Sequence, residues 1–424
     1  MTRSVAQAIH SVLGEPPGMG VVAHDGSTAG NLAGTVMRLR TPRALSYVVS
    51  HPGQLGFARA YLQGDLSIDG MDEACPYDEL RLMQGFDVRI PPLRELPKVL
   101  RAVRGSGVRL TELPDLPDLE TPSELRKLAH GIRHGRRRDA EAIRHHYDVS
   151  NRFYEMLLGP SMTYTCAVYP RADATLEEAQ EEKYDLVCRK LGLEPGMRLL
   201  DVGCGWGGMV RHAVRHYGVT ALGVTLSQAQ ATWAQEQIGA EGLTGAEVRH
   251  ADYRDVTERG FDAVSSIGLT EHIGVRNYGS YFTFLRDRLR DGGRLLNHCI
   301  TWRSPDHVPM RRSDFIARYV FPDGELAASG RIVTEMERVG LEVHHHENLR
   351  QHYARTCAAW CENLSRHWEE CVTEAGLPTA RVWGLYLAGS RYNFERNAIQ
   401  LHQVLATRTS AEGEAGYPFR PTFA

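Results

Sequence analysis

No apolar run in this sequence approaches the roughly 20 residues needed to cross a bilayer. The opening residues, MTRSVAQAIHSVLGEPPG, also lack the apolar core of a signal peptide. Both absences lead to the expectation of a cytoplasmic protein. Net charge is nearly absent too: 49 Lys and Arg against 52 Asp and Glu leave −3. That argues against nucleic acid as a partner, although an average hides local patches. The eight cysteines, at 75, 166, 188, 204, 299, 357, 361 and 371, include no CxxC pair. Neither a zinc site nor a disulfide framework is indicated, and each is read as a free thiol. What is present is an ordinary composition over 424 residues. A single core stops growing at about 250 to 300 residues, so two domains are expected.

The most informative stretch is Leu199-Leu200-Asp201-Val202-Gly203-Cys204-Gly205-Trp206-Gly207-Gly208. It reads as a buried strand, a glycine turn and the start of a helix. Glycines permit positive φ and close backbone approach, and the first amides of the following helix are unpaired donors. A ligand can therefore lie against backbone here. The spacing is only close to the dinucleotide fingerprint, because Gly203-x-Gly205-x-Gly207 lacks its third glycine unless Gly208 serves. With Asp201 just before it, the loop looks more like an S-adenosylmethionine loop than a pyrophosphate loop. A plain tight turn and an NAD site remain the alternatives.

Residues 1–105 read as a small N-terminal α+β domain, accessory or lipid-presenting, with strands near Gly20–Ala23 and Met37–Arg40. The stretches Ser46–Val49 and Leu55–Leu62 look helical or mixed. Residues 106–145 read as a linker and a basic helical segment. Repeated prolines at LPDLPDLETP prevent regular structure. Between Ser123 and His146, seven Lys and Arg face three Asp and Glu. Such a run is either a solvated helix face or a patch for anionic lipid headgroups. Residues 146–410 form the second domain and 411–424 a tail. From Thr175 helix and strand alternate, which predicts an α/β fold with a doubly wound, mostly parallel sheet. Its helix is placed at Leu176–Leu191 and its strands at Met197–Val202, Val219–Thr225, Ala246–His250, Phe261–Ile267 and Gly293–Ile300.

In open α/β sheets ligands bind at the carboxyl ends of strands, so residues at those ends are the candidates for site chemistry. The second strand ends in Thr225-Leu226-Ser227-Gln228-Ala229-Gln230. No acid stands there for ribose hydroxyls, which leaves that work to hydroxyls and amides. The third ends in Asp252-Tyr253: a carboxylate for an exocyclic amine and a ring for stacking, or simply a helix cap. The fourth runs into Glu271-His272 within a glycine-bounded segment, as site residues or as a cap. His298 lies in an apolar run after the fifth, where a core histidine is the alternative.

These residues resemble the cyclopropane-fatty-acyl-phospholipid synthase family, which includes the mycolic acid cyclopropane synthases. The matching segments include His146-Tyr147-Asp148-Val149-Ser150-Asn151, Met162-Thr163-Tyr164-Thr165-Cys166-Ala167, the glycine loop, Asp252-Tyr253-Arg254-Asp255, Glu271-His272, His298-Cys299-Ile300, Tyr319-Val320-Phe321-Pro322-Asp323-Gly324 and His352-Tyr353-Ala354-Arg355-Thr356. They keep the family's order over about residues 140–408. The resemblance implies a class I methyltransferase, Rossmann-like fold, with S-adenosylmethionine as one-carbon donor and a cis-unsaturated acyl chain of a phospholipid as acceptor. The cofactor positions it implies are Tyr164, Thr165, Asp201, Gly203, Cys204, Gly205, Thr225, Leu226, Gln230, Asp252, Tyr253 and Ile267. It also implies a bicarbonate ion at Cys166, Glu271, His298, Ile300 and Tyr353, with the Cys166 and Ile300 amides as donors. Two departures stand out: Thr165 where serine is common, and Asn297-His298-Cys299 where Leu-His-Thr is usual.

The implied chemistry needs no activated side chain in its first step. The alkene attacks the sulfonium methyl carbon, a carbocation forms on the chain, and loss of a proton from the new methyl closes the ring. A hydride shift before deprotonation would instead give an exomethylene branch, the substrate of a flavin reductase partner. A generic small-molecule methyltransferase would be expected to keep the acid after the second strand. A silent lipid-binding module would be expected to lack Glu271 or the loop. The remaining expectations are a homodimer, an anionic membrane surface as partner, and peripheral association with the inner face of the membrane.

Overall fold

A computed structural model of the chain describes residues 4–51, 53–84, 114–120, 149–306 and 314–423. The basic run at 123–146, the segment His146-Tyr147-Asp148 and, of the proline-rich run, Leu113, Thr121 and Pro122 lie outside the described residues. The chain divides into two compact units: 1–128 with 311–322 and 368–389, and 129–310 with 323–367 and 390–424.

In the first unit, α1 (Val5–Val12) starts on Ser4, whose hydroxyl accepts from the Gln7 amide in a capping box. Strands β1 (Met19–Val22), β2 (Thr28–Gly30), β3 (Thr35–Leu39) and β4 (Leu66–Ile68) form a sheet in the order β2-β1-β3-β4. Only β1 and β3 run parallel. The mixed stretches are helices α2 (Pro42–Ser50) and α3 (Gln54–Leu62), followed by α4 (Tyr77–Gln84). Arg59 of α3, 3% exposed, forms a two-pronged pair with Glu120 at 2.7 and 2.6 Å. Arg318 reaches the same carboxylate at 2.5 Å, and the Tyr319 hydroxyl donates to it. Burial works to raise the Glu120 pKa, but hydrogen bonds from Arg59, Tyr319 and Arg318 bring it below the usual carboxylate range.

The second unit opens with α5 (Asn151–Leu158) and α6 (Leu176–Leu191). The α6 limits follow from local chemistry. Thr175 and Glu178 form a capping box, and Gly192 takes the left-handed conformation at φ 62°. Then come β5 (Arg198–Val202), α7 (Gly208–Tyr217), β6 (Thr220–Thr225), α8 (Gln228–Ala240), β7 (Ala246–His250) and β8 (Phe261–Ile267). The chain continues through α9 (Thr270–Ile273), α10 (Tyr278–Arg288), β9 (Leu289–Trp302), α11 (Ser329–Arg338), β10 (Leu341–Asn348), α12 (Arg350–Arg366) and β11 (Ile399–Arg408).

These strands form a seven-stranded sheet in the order β10-β11-β9-β8-β5-β6-β7. The run from β9 to β7 is parallel, while β11 is antiparallel to both of its neighbours. Alternate residues supply two cores. Leu200, Val264, Leu295 and Val404 pack on one face, and Leu199, Ala263, Leu296 and Leu405 on the other. Strand order reverses at β5, so a crevice opens beyond its carboxyl end. The α/β class, the doubly wound order and the five parallel strands match the sequence reading; the antiparallel pair β10–β11 adds to it. No helix among the described residues is long and apolar enough to cross a membrane, and none of the eight cysteines forms a disulfide.

Candidate active site

The glycine loop sits at that switch point. Gly203, Gly205 and Gly207 have φ of 78°, 55° and 74°, conformations other residues rarely take. The amides of Gly203 and Cys204 both donate to the Val224 carbonyl at 3.0 Å, which ties the loop to β6. A Cβ built on Gly203 would meet Leu269 at 3.1 Å, whereas one on Gly205 would meet nothing within 4 Å. The loop is thus packed on one side and open at Gly205, as a backbone cradle for a ligand requires. Asp201 beneath it is buried and accepts from the Ser265 hydroxyl at 2.6 Å. Burial pushes its pKa up to about 6, opposed by that bond and by Lys183.

Other predicted cofactor positions gather around the same strand ends. A Cβ on Gly268, at the end of β8, would meet the Thr165 methyl at 2.9 Å, so glycine there lets the Tyr164-Thr165 segment close on the sheet. Tyr164 packs on Trp360 with ring centroids 5.3 Å apart. Thr225 donates to Gln230 Oε1 at 2.7 Å, which turns the Gln230 amide nitrogen away from Thr225. The Leu226 carbonyl pairs with His250 at 3.1 Å. Asp252 caps the short turn Tyr253–Asp255, and both its oxygens accept from Arg254, at 2.8 and 2.6 Å. The cap alternative therefore describes what its side chain does here. Tyr253 is held edge-on by Tyr281 and Phe284 at 5.2 Å each. Ile267 and Cys204 are buried in the core beneath the loop.

The residues predicted to hold an anion include two buried atoms without a partner: Glu271 Oε2 and His298 Nε2. Glu271 stands on α9, just beyond β8. Its Oε1 accepts from the Ile300 amide at 2.7 Å. The expectation gave that amide to a bound anion; the structure gives it to Glu271, because β9 carries the amide directly under α9. Burial pushes the Glu271 pKa up to about 7, with only backbone hydrogen bonds opposing it.

His298 lies on β9 two residues before Ile300 and directly opposite Gln403 of β11. The Gln403 carbonyl accepts from Lys190 Nζ at 2.6 Å, so its amide nitrogen is the atom facing His298 Nδ1 at 3.2 Å. Nδ1 is then the acceptor, and the proton of the neutral ring resides on Nε2. Burial, helped by Lys183 and Lys190, pulls the His298 pKa well below its usual value, which keeps the ring neutral. The site thus presents one N–H donor and one carboxyl oxygen, neither committed elsewhere.

Cys166 is fully buried, and its thiol donates to the carbonyls of Ala167 and Leu349 at 3.2 and 3.8 Å. Burial raises its pKa well above the thiol range, so it stays protonated. The Tyr353 ring stacks on Phe394 at 4.4 Å and meets Trp360 edge-on at 6.0 Å. Residues the sequence reading missed include Gln403, Lys190 and Lys183. Lys183 is wholly buried, donates to Thr165 at 3.1 Å and lies 3.6 Å from the Tyr184 ring centroid. Burial pulls its pKa down to about 7.

Residues 134–404 match the family model described as mycolic acid cyclopropane synthetase. The chain belongs to this family. A probable fatty acid methyltransferase of Mycobacterium tuberculosis is 55% identical over 97% of this chain and 96% of its own length. The cyclopropane-fatty-acyl-phospholipid synthase of Escherichia coli is 35% identical over 63% of this chain and 68% of its own. Among solved structures, a cyclopropane synthase from Mycobacterium tuberculosis is 34% identical, covering 63% of this chain and 98% of its own, with a TM-score of 0.60. A mycolic acid cyclopropane synthase complexed with SAH and CTAB is 32% identical over 63% of this chain, also with a TM-score of 0.60. The chain is an S-adenosylmethionine-dependent methyltransferase of the cyclopropane synthase family.

Proposed function

We propose that the chain transfers a one-carbon unit from S-adenosylmethionine to the cis double bond of an unsaturated acyl chain in a membrane phospholipid, with bicarbonate as base, giving a cyclopropane ring. The observation that carries this reading is the pair of unpartnered buried atoms, Glu271 Oε2 and His298 Nε2. A small oxyanion bearing one hydroxyl both accepts and donates, which matches one buried donor and one buried acceptor. When bound, the sulfonium supplies an electrophilic methyl and the bicarbonate a base for the proton lost on ring closure.

The chain's own residues supply position and exclusion of water. The open backbone at Gly205 and the Tyr164-Thr165 segment hold the donor. Asp201, Thr225, Gln230, Asp252 and Tyr253 sit at the strand ends around it. Alignment of methyl and alkene supplies most of the rate, since the alkene itself needs no activation. The His298 Nε2–H and Glu271 orient the anion, and the Ile300 amide orients Glu271. Rings of Tyr353, Trp360 and Phe394 line up near these segments, and their faces stabilise a developing cation.

A second reading is favoured by the name of the 55% identical relative, a probable fatty acid methyltransferase. The same cation would lose its proton after a hydride shift and leave a methylene branch for a partner flavin reductase. Catalytic hydrogenation of the product lipids under conditions that open cyclopropanes separates the two. A ring yields a mixture of methyl-branched and straight chains, and a methylene group is reduced to one methyl branch under mild conditions. Acyl chains without added carbon would contradict both.

A further inference from the structure

We propose that Glu181, His212 and His216 bind a divalent transition-metal ion of the zinc type, through two imidazole nitrogens, one carboxylate oxygen and a water. His212 and His216 are four residues apart on α7 and therefore share one helix face, with ring centroids 4.5 Å apart. Glu181 comes from α6. One donor atom from each of the three lies within 4.8 Å of the others. A tetrahedral ion with ligands at about 2.0–2.2 Å needs donors roughly 3.5 Å apart. Glu181 and His216 are exposed, so rotamer adjustment closes that difference.

A second observation concerns the buried histidine of the three. His212 is 8% exposed, and its Nε2 is buried without a hydrogen-bond partner. The nearest carboxylate oxygen, Asp185 Oδ1, stands off at 3.6 Å and already accepts from the Tyr217 hydroxyl at 2.7 Å.

The cations nearby are already committed. Arg211 and Arg215 pair with Glu241, and Arg189 with Glu182 and Asp185. Lys183 is bonded to Thr165. Two imidazoles and a carboxylate suit zinc rather than calcium or magnesium, which prefer oxygen ligands throughout. Such an ion would join α6 to α7, the helix that begins at Gly208 where the glycine loop ends.

The test titrates Co²⁺, as an optical probe for the zinc site, and then Zn²⁺ into metal-stripped full-length protein. Expected are one equivalent per chain, visible bands of a four-coordinate cobalt site, and their displacement by zinc. His216→Ala and Glu181→Gln, both at exposed positions, should keep the wild-type circular dichroism and weaken binding by at least about tenfold. Zinc should raise the melting temperature of the wild type more than that of His216→Ala. No uptake by the wild type, or equal affinity in wild type and His216→Ala, overturns the proposal.

Discussion

Glu271 and Glu120 show how partners decide the state of a buried carboxylate. Glu120 receives Arg59, Arg318 and Tyr319 and stays ionised, whereas Glu271 has the Ile300 amide and an open second oxygen. The raised Glu271 pKa has a definite sign for stability. Between the usual 4.5 and about 7 the native state keeps a proton that the unfolded chain has released. Stability from that proton is complete below the lower value and lost as pH rises through the upper one. Glu271→Gln copies the neutral carboxyl, so it should be more stable than the wild type above neutral pH, by up to about 3 kcal/mol, and equal to it near pH 4. Urea unfolding of both proteins across that range checks this. The same variant should lose turnover by on the order of 10²-fold or more while binding S-adenosylmethionine normally in calorimetry. Gln403→Leu removes the amide that fixes the His298 tautomer. It should lower turnover by roughly 10²-fold with cofactor affinity retained, as steady-state kinetics would show. Glu271 was legible because it follows a strand in a glycine-bounded segment. Gln403 was not, since only the pairing of β11 with β9 brings it opposite His298.

At the scale of elements, legibility followed local chemistry. The α6 limits agree residue for residue with the sequence reading because a capping box opens the helix and Gly192 closes it. Strands β5, β6 and β8 were legible as apolar runs ending in turns. By contrast, β11 buries His402, Gln403 and Thr407 among its apolar residues, a pattern with no clean period of two. The spacing of His212 and His216 was likewise visible, but the nearness of Glu181 depends on how α6 packs on α7. That packing is close: a Cβ on Gly208 would come within 2.1 Å of the Tyr184 hydroxyl. Gly208→Ala should therefore cost about 1–3 kcal/mol of stability, read by denaturant unfolding, through overpacking of α6 against α7.

At the scale of the whole molecule, the sheet places the glycine loop at the end of β5, Glu271 just beyond β8 and His298 on the neighbouring β9. Residues 126–144 carry the positive charge expected to meet a membrane. Vesicles with anionic headgroups should bind the protein more tightly than neutral ones at low salt, and the difference should shrink as salt rises. Sedimentation with the two vesicle types measures it, and equal binding at low salt would show that the basic run does not meet the membrane.

The most direct measurement follows the methyl carbon itself. Cells expressing the wild type or Glu271→Gln are fed methionine labelled in its methyl group, and their phospholipid acyl chains are analysed by mass spectrometry. One labelled carbon, with the mass of a CH₂ group, is expected on chains that have lost a double bond in the wild type only. Label on a headgroup or small molecule, with the double bonds intact, would contradict it.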